Sequence, residues 1–162
     1  MGYKSAMWVS FGEALAPVAG ALTGLLFVAV SVKGAAMAAS LRLRSRAAET
    51  LVLFMISVLT AVFLVAPQPS VALGWELIVL AALSGASLLW LDRRAGHSTE
   101  RGVAQYIEKF SPNTITAVLV ALAGATFLAK AGGGLYWLIP AFLASLVGGV
   151  VNAWLFLVNL TN

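Results

Sequence analysis

Five long apolar stretches dominate this sequence and limit what it can fold into. They cover residues 14–32, 47–65, 73–91, 114–129 and 135–158. A helix needs about 20 mostly apolar residues to cross roughly 30 Å of hydrocarbon, and all the stretches except 114–129 approach or exceed that length. The pattern predicts an all-α polytopic membrane protein, with about five transmembrane helices in one bundle that spans residues 1–162. Because it is short, 114–129 is the least secure span.

The composition excludes a water-soluble fold. Hydrophobic residues make up 61% of the chain and charged residues only 10%. A small soluble domain would expose much of that apolar surface and aggregate. The chain also has no cysteine, so disulfides, cysteine-ligated metals and thiol nucleophiles are excluded. Because phosphate-binding loops, metalloprotease motifs and serine-hydrolase motifs are missing too, we expect no enzymatic activity, no catalytic residue, no metal and no cofactor.

The basic residues predict the orientation in the membrane. Eight of the ten lie in two connections: Lys33, Arg42, Arg44 and Arg46 in the first, and Arg93, Arg94, Arg101 and Lys109 in the third. The positive-inside rule makes these connections cytoplasmic, which places the N-terminus outside and the C-terminus inside. This arrangement accounts for the net positive charge without nucleic acid. We expect Arg42, Arg44 and Arg46 to attract anionic lipid headgroups.

The third connection contains a further amphipathic pattern. Val103, Tyr106, Ile107 and Phe110 recur at helical i, i+3, i+4, i+7 spacing, with charged residues on the opposite face. The pattern predicts a short helix over 99–110 that lies on the inner membrane surface.

Four polar residues in or beside the spans are candidate sites, because ionisable and amide groups at membrane depth are costly. Glu13 and Glu76 lie near the outer ends of their spans, where they either meet interfacial water or act together on a cation or a proton. Glu49 begins the second span and is placed to pair with Arg46. Asn152, in the fifth span, either hydrogen-bonds across helices or lines a path.

Small residues predict two faces for close helix packing. Gly20 and Gly24 form a GxxxG pattern in the first span, on one stripe with Glu13 and Ser31. Ser145 and Gly149 belong to a second such face in the fifth span. Each face either packs against a helix of the same subunit or meets another subunit.

Four segments of the chain resemble a group of small bacterial multispanning proteins of uncharacterised function, some labelled modulators of a membrane-bound AAA protease. The segments are 21–31 (ALTGLLFVAVS), 46–53 (RAAETLVL), 134–138 (GLYWL) and 150–154 (VVNAW). The resemblance implies a bacterial inner-membrane location and carries over no catalytic residue. It places Glu49 and Asn152 among the first residues to test.

Two functions remain from the sequence. The first is a non-enzymatic interaction or regulatory subunit that self-associates and contacts a larger membrane complex through one of the small-residue faces. The alternative is an oligomeric ion or proton channel or transporter, with a path lined by Glu13, Glu76 or Asn152. The first is favoured because polar residues within the spans are too sparse for conduction.

Overall fold

The computed structural model describes residues 2–32, 34, 41–95 and 112–158, and within these ranges the chain is helical with no β-strand. This confirms the predicted all-α class. The five α-helices are α1 (Val9–Val32), α2 (Leu41–Val65), α3 (Ser70–Ala95), α4 (Pro112–Ala129) and α5 (Leu138–Val158). Two 3-10 helices, Ser5–Trp8 and Gly134–Trp137, lead into α1 and α5.

All five helices are long and apolar enough to cross a membrane. The second predicted span coincides with the apolar part of α2, Ala47–Val65. The short fourth stretch gains two residues and becomes an 18-residue helix. α1 starts at Val9, five residues before the predicted boundary at residue 14. A boundary drawn from hydropathy stopped at Glu13, although a polar side chain near a helix end does not interrupt the backbone hydrogen bonds.

Proline and glycine end the helices at one end of the bundle. After α2, the turn 66–69 contains Pro67 and Pro69, which cannot donate helical hydrogen bonds. After α4, Gly132, Gly133 and Gly134 have φ values of 79°, 109° and 60°. Residues with a side chain rarely adopt this left-handed backbone conformation. Glycine is therefore required at these positions for the chain to reverse into α5.

The helices pack in an order that leaves α1 at the edge. α1 packs mainly against α2, α2 also contacts α3 and α5, and α4 lies between α3 and α5. Only 11% of the first span is buried in the bundle, compared with 33% to 44% of the other four. Most of the surface of α1 is therefore available to lipid or to another protein.

Glycine allows close approach at several of these contacts. A Cβ on Gly124 of α4 would lie 2.8 Å from the carbonyl oxygen of Gly74 on α3. A Cβ on Gly12 of α1 would lie 2.9 Å from the carbonyl oxygen of Ala61 on α2. In lipid there is no hydrophobic driving force that brings apolar helices together. Helices associate there through close backbone packing of this kind.

The segment before α1 is tied to the glycine turn between α4 and α5. The Gly133 N–H donates to the Tyr3 hydroxyl at 2.9 Å, and the Leu135 N–H donates to the Gly2 carbonyl at 3.0 Å. The Trp8 ring meets the Tyr136 ring edge to face, with centroids 5.2 Å apart. This end of the bundle therefore contains the N-terminal segment, the α2–α3 turn and the α4–α5 turn.

Candidate functional site

The Gly20–Gly24 stripe lies on the outside of the bundle. Gly12, Ala19 and Leu26 are buried and face α2, at positions seven residues apart. The residues of the stripe, about 120° around α1 from this buried face, are all exposed: Glu13, Gly20, Gly24 and Ser31. No heavy atom of the described residues lies within 4 Å of a Cβ placed on Gly20 or Gly24. Among the described residues, this face packs against no helix of the same subunit, and a different face of α1 contacts α2.

Pro17 adds a polar feature to the same outer face. It lies inside α1 and is exposed. Because proline has no backbone N–H, the carbonyl of Glu13, four residues earlier, loses its helical donor. The outer face of α1 thus combines a carboxylate, a carbonyl without its helical partner and two glycines. This is an unusual surface to present to hydrocarbon, in which unsatisfied polar groups are costly.

The second small-residue face is used inside the subunit. Ser145 is fully buried, and a Cβ on Gly149 would clash with the Phe54 ring of α2. The neighbouring Gly148 faces Pro112 at the start of α4 in the same way. The Ser145–Gly149 face of α5 therefore packs within the bundle, and of the two predicted faces only that of α1 is left for a partner.

A hydroxyl cluster joins α2 to α5 at the bundle centre. The Oγ atoms of Ser57 and Ser145 are 2.6 Å apart, and each also lies near the Leu53 carbonyl oxygen, at 3.3 Å and 3.2 Å. Two hydroxyl protons serve these three contacts: one serine donates to the other, which donates to the carbonyl. The serine pair is thus satisfied without water.

The cluster continues towards α4, but it encloses no space large enough for a water molecule. Thr60 is fully buried beside Thr116. The Thr60 Oγ1 has no hydrogen-bond partner among the described residues. The gap that these side chains line with Ser57 is too small for a water molecule. Asn113, at the start of α4, is also buried, and its Oδ1 accepts no hydrogen bond from any residue in the described ranges. This region packs three helices together and offers no water-filled path.

Glu76 lies at a groove between α2 and α3, on the outside of the bundle. Its Oε2 accepts a hydrogen bond of 2.7 Å from Gln68 Nε2, which also donates to the Phe63 carbonyl at 2.8 Å. Glu76 is half-buried, whereas Glu13 is exposed on α1. The structure shows no hydrogen bond between these two carboxylates in the parts of the chain it describes. The joint action of Glu13 and Glu76 on a cation or a proton stays a prediction.

The remaining candidates lie near the opposite end of the bundle. The Ser45 hydroxyl donates to Glu49 at 3.3 Å, one helical turn away, and Arg44 is exposed. The side chains of Arg42, Arg46 and Asn152 are outside the described residues, so the Arg46–Glu49 pair and the role of Asn152 stay predictions. The interfacial helix predicted over 99–110 falls outside the described ranges as well.

No metal-binding group emerges from the part of the chain that the structure covers: no three acidic or histidine side chains there lie close enough to hold an ion. Comparison of the chain with models of known families, with characterised proteins and with solved structures finds no match. The resemblance to the small bacterial multispanning proteins therefore stays a prediction. The fold itself defines a multi-pass membrane protein built as one helical bundle.

Several residues that shape these sites escaped the sequence analysis. Ser57, Thr60 and Gln68 were passed over because uncharged polar residues are ordinary in apolar helices and turns. A signal was present, however. Thr50, Ser57 and Thr60 are spaced by seven and three residues, which puts them on one face of α2. That periodicity indicates a polar seam against neighbouring helices.

Proposed function

We propose that the protein is a non-enzymatic, homo-oligomeric subunit of the bacterial inner membrane that associates through the outer face of α1. The proposal rests on where the two small-residue faces lie in the bundle. The Ser145–Gly149 face packs inside the bundle, while Gly20 and Gly24 are exposed, with no atom from the described part of the chain within 4 Å of an added Cβ. A furrow of small residues lets a second helix approach closely enough for strong van der Waals contact.

A protein partner suits this face better than lipid does. Lipid tails contact bulky and small side chains about equally, and they cannot hydrogen-bond the Glu13 carbonyl that Pro17 leaves without a helical donor. A facing helix with hydroxyl or amide side chains supplies both the close packing and the missing donors. A second copy brings the exposed hydroxyls of Ser10 and Ser31 along its own α1.

The regulatory part of the proposal rests on the sequence resemblance to modulators of a membrane-bound protease. An oligomer that exposes further helix surface to its surroundings is suited to hold or restrain a larger membrane complex. In this account the N-terminus is outside and the C-terminus is cytoplasmic, as the distribution of basic residues predicts.

The test is the subunit number of the protein in nanodiscs, measured by native mass spectrometry. We expect the wild-type protein to be oligomeric and Gly24→Leu to shift it towards monomer, because leucine forces the backbones apart. The matched control is Val18→Leu, which adds bulk at an exposed position of α1 about 120° away from Gly24. A monomeric wild-type protein, or equal loss in both variants, would contradict the proposal.

The channel alternative has less support from the structure. The buried hydroxyl cluster encloses no space large enough for a water molecule, and Glu76 lies at an outer groove rather than at the bundle centre. A flux assay in proteoliposomes distinguishes the two functions. Cation flux above that of empty liposomes, lost in Glu76→Gln, would replace the interaction-subunit proposal with the channel.

A further inference from the structure

Glu13 lies on the same face of α1 as the two glycines through which the subunits are proposed to associate. It precedes Gly20 by seven residues and Gly24 by eleven. At about 100° per residue, both glycines point within roughly 20° of the Glu13 direction. All three residues are exposed. A helix that packs on this face therefore meets the carboxylate as well as the glycines.

Symmetry brings two copies of Glu13 together. Subunits inserted in the same orientation are related by a rotation axis along the membrane normal, and a twofold axis makes each residue near it face its own copy. Helices that cross at about 40°, with their axes about 8 Å apart between Gly20 and Gly24, are about 12 Å apart at Glu13. Since a helix with its side chains is about 10–12 Å across, the two carboxylates come close to each other.

The surroundings of Glu13 lack a hydrogen-bond donor for the carboxylate. An ionised carboxylate only accepts hydrogen bonds, whereas a protonated carboxyl group also donates one. Pro17 leaves the Glu13 carbonyl without its helical donor, which adds a further acceptor beside the carboxylate. Two facing copies thus bring together acceptors and two negative charges. Protonation of one Glu13 removes a charge and supplies a donor to the other.

Within the described ranges, no residue forms an ion pair or a hydrogen bond with the Glu13 carboxylate. The elements that pack mainly against α1 bring no ionisable side chain to it, since the 3-10 helix Ser5–Trp8, α2 beyond Glu49 and α5 contain none. The other ionisable side chains at this end of the described bundle are Tyr3, Lys4, Glu76, Lys130 and Tyr136. In a symmetric contact, the group that faces Glu13 is therefore the second Glu13.

Building on the proposed self-association through α1, we propose that protonation of Glu13 regulates it, so that the subunits associate more tightly at low pH. When both carboxylates are ionised, their repulsion opposes the contact. For two unit charges about 6 Å apart, this repulsion weakens affinity about threefold in water and about a hundredfold at an effective dielectric constant near 20. The glycine contact supplies the attraction at either pH.

The test is the association constant in phosphatidylcholine vesicles, measured by energy transfer between donor-labelled and acceptor-labelled copies. The dyes are attached at Ala66→Cys, in the exposed α2–α3 turn of the otherwise cysteine-free chain. We expect association at least about threefold tighter at about pH 4 than at about pH 8. Glu13→Gln should associate tightly at both, because its amide is uncharged and donates at any pH.

Two further variants separate the regulation from the contact. Glu76→Gln removes the other carboxylate at this end and should keep the full pH dependence. Gly24→Leu should weaken association at both pH values. Association that depends on Gly24 but not on pH would overturn the regulation and leave the self-association standing, whereas no association at either pH would overturn both. A pH dependence that persists in Glu13→Gln, or tighter association at the higher pH, would also overturn the role of Glu13.

Discussion

The hydroxyl groups of Ser57 on α2 and Ser145 on α5 lie 2.6 Å apart in the interior of the bundle. Both also approach the Leu53 carbonyl oxygen, so this contact fixes the position of α5 along α2. One helical turn further along α5, Gly149 admits the Phe54 ring of α2. A polar contact and a close-packing contact thus meet on one helix pair, which leaves the outer face of α1 as the small-residue face open to a partner.

The serine pair should show measurable energetic coupling. In a double-mutant cycle with Ser57→Ala and Ser145→Ala, we expect a coupling energy of about 0.6 kcal/mol, and no more than about 1.7 kcal/mol. Hydrogen bonds within membranes contribute modestly because the separated helices find other partners. Reversible unfolding in bicelles measures the four free energies. Strictly additive single effects would show that the two hydroxyls do not stabilise each other.

Substitution by alanine should have different effects on bundle stability at a glycine in a helix contact and at a glycine with open space around it. Gly124→Ala directs a methyl group at the Gly74 carbonyl oxygen and should destabilise the bundle by about 1–3 kcal/mol. Gly85→Ala is the control, since no atom of the residues that the structure describes lies within 4 Å of the added Cβ, and it should be neutral or slightly stabilising. Thermal unfolding in detergent ranks the two variants. Equal unfolding temperatures would contradict the close α3–α4 contact.

Tyr3 should protect the glycine turn from solvent exchange. Tyr3→Phe removes the hydroxyl that accepts the Gly133 N–H, at a cost of about 0.5–1.5 kcal/mol. We expect faster amide hydrogen exchange at Gly133, while exchange in the centre of α4 is unchanged. Lys4→Ala serves as the control because Lys4 is exposed in the same segment. If Tyr3→Phe left exchange at Gly133 unchanged, the N-terminal segment would not hold the turn.

The orientation of the bundle is open to a direct chemical test. The chain has no cysteine, so a single Ala66→Cys in the exposed α2–α3 turn is the only thiol. An impermeant maleimide should label it in intact cells, and a reporter fused after Asn162 should be active only in its cytoplasmic form. Labelling of Ala66→Cys only after cell disruption would reverse the predicted topology.

Hydropathy was enough to predict the number and approximate bounds of the helices, because each span must satisfy its own backbone hydrogen bonds in lipid. It did not show which way a helix face points. The Gly20–Gly24 stripe and the Ser145–Gly149 face have the same residue types, yet one lies outside the bundle and the other inside. The difference depends on which helices are neighbours, and that is a property of the whole bundle.

The Glu76 groove shows the same limit at a single residue. The sequence identified Glu76 as a costly carboxylate, but it gave no sign that Gln68 would contact it. The bend at Pro67 and Pro69 brings the Gln68 amide to the carboxylate eight residues later. No helical periodicity links the two positions, because Gln68 lies in the turn and Glu76 in α3, so their contact could be found only in three dimensions.

Disulfide cross-linking tests the central claim, self-association through the outer face of α1, most directly. Gly24→Cys and Leu25→Cys each place one thiol at an exposed position of the cysteine-free chain, about 100° apart around α1. In native membranes under mild oxidation, we expect a covalent dimer from Gly24→Cys and little from Leu25→Cys. Cross-linking from Leu25→Cys alone, from neither position, or from both equally would contradict the assignment of this face as the interface.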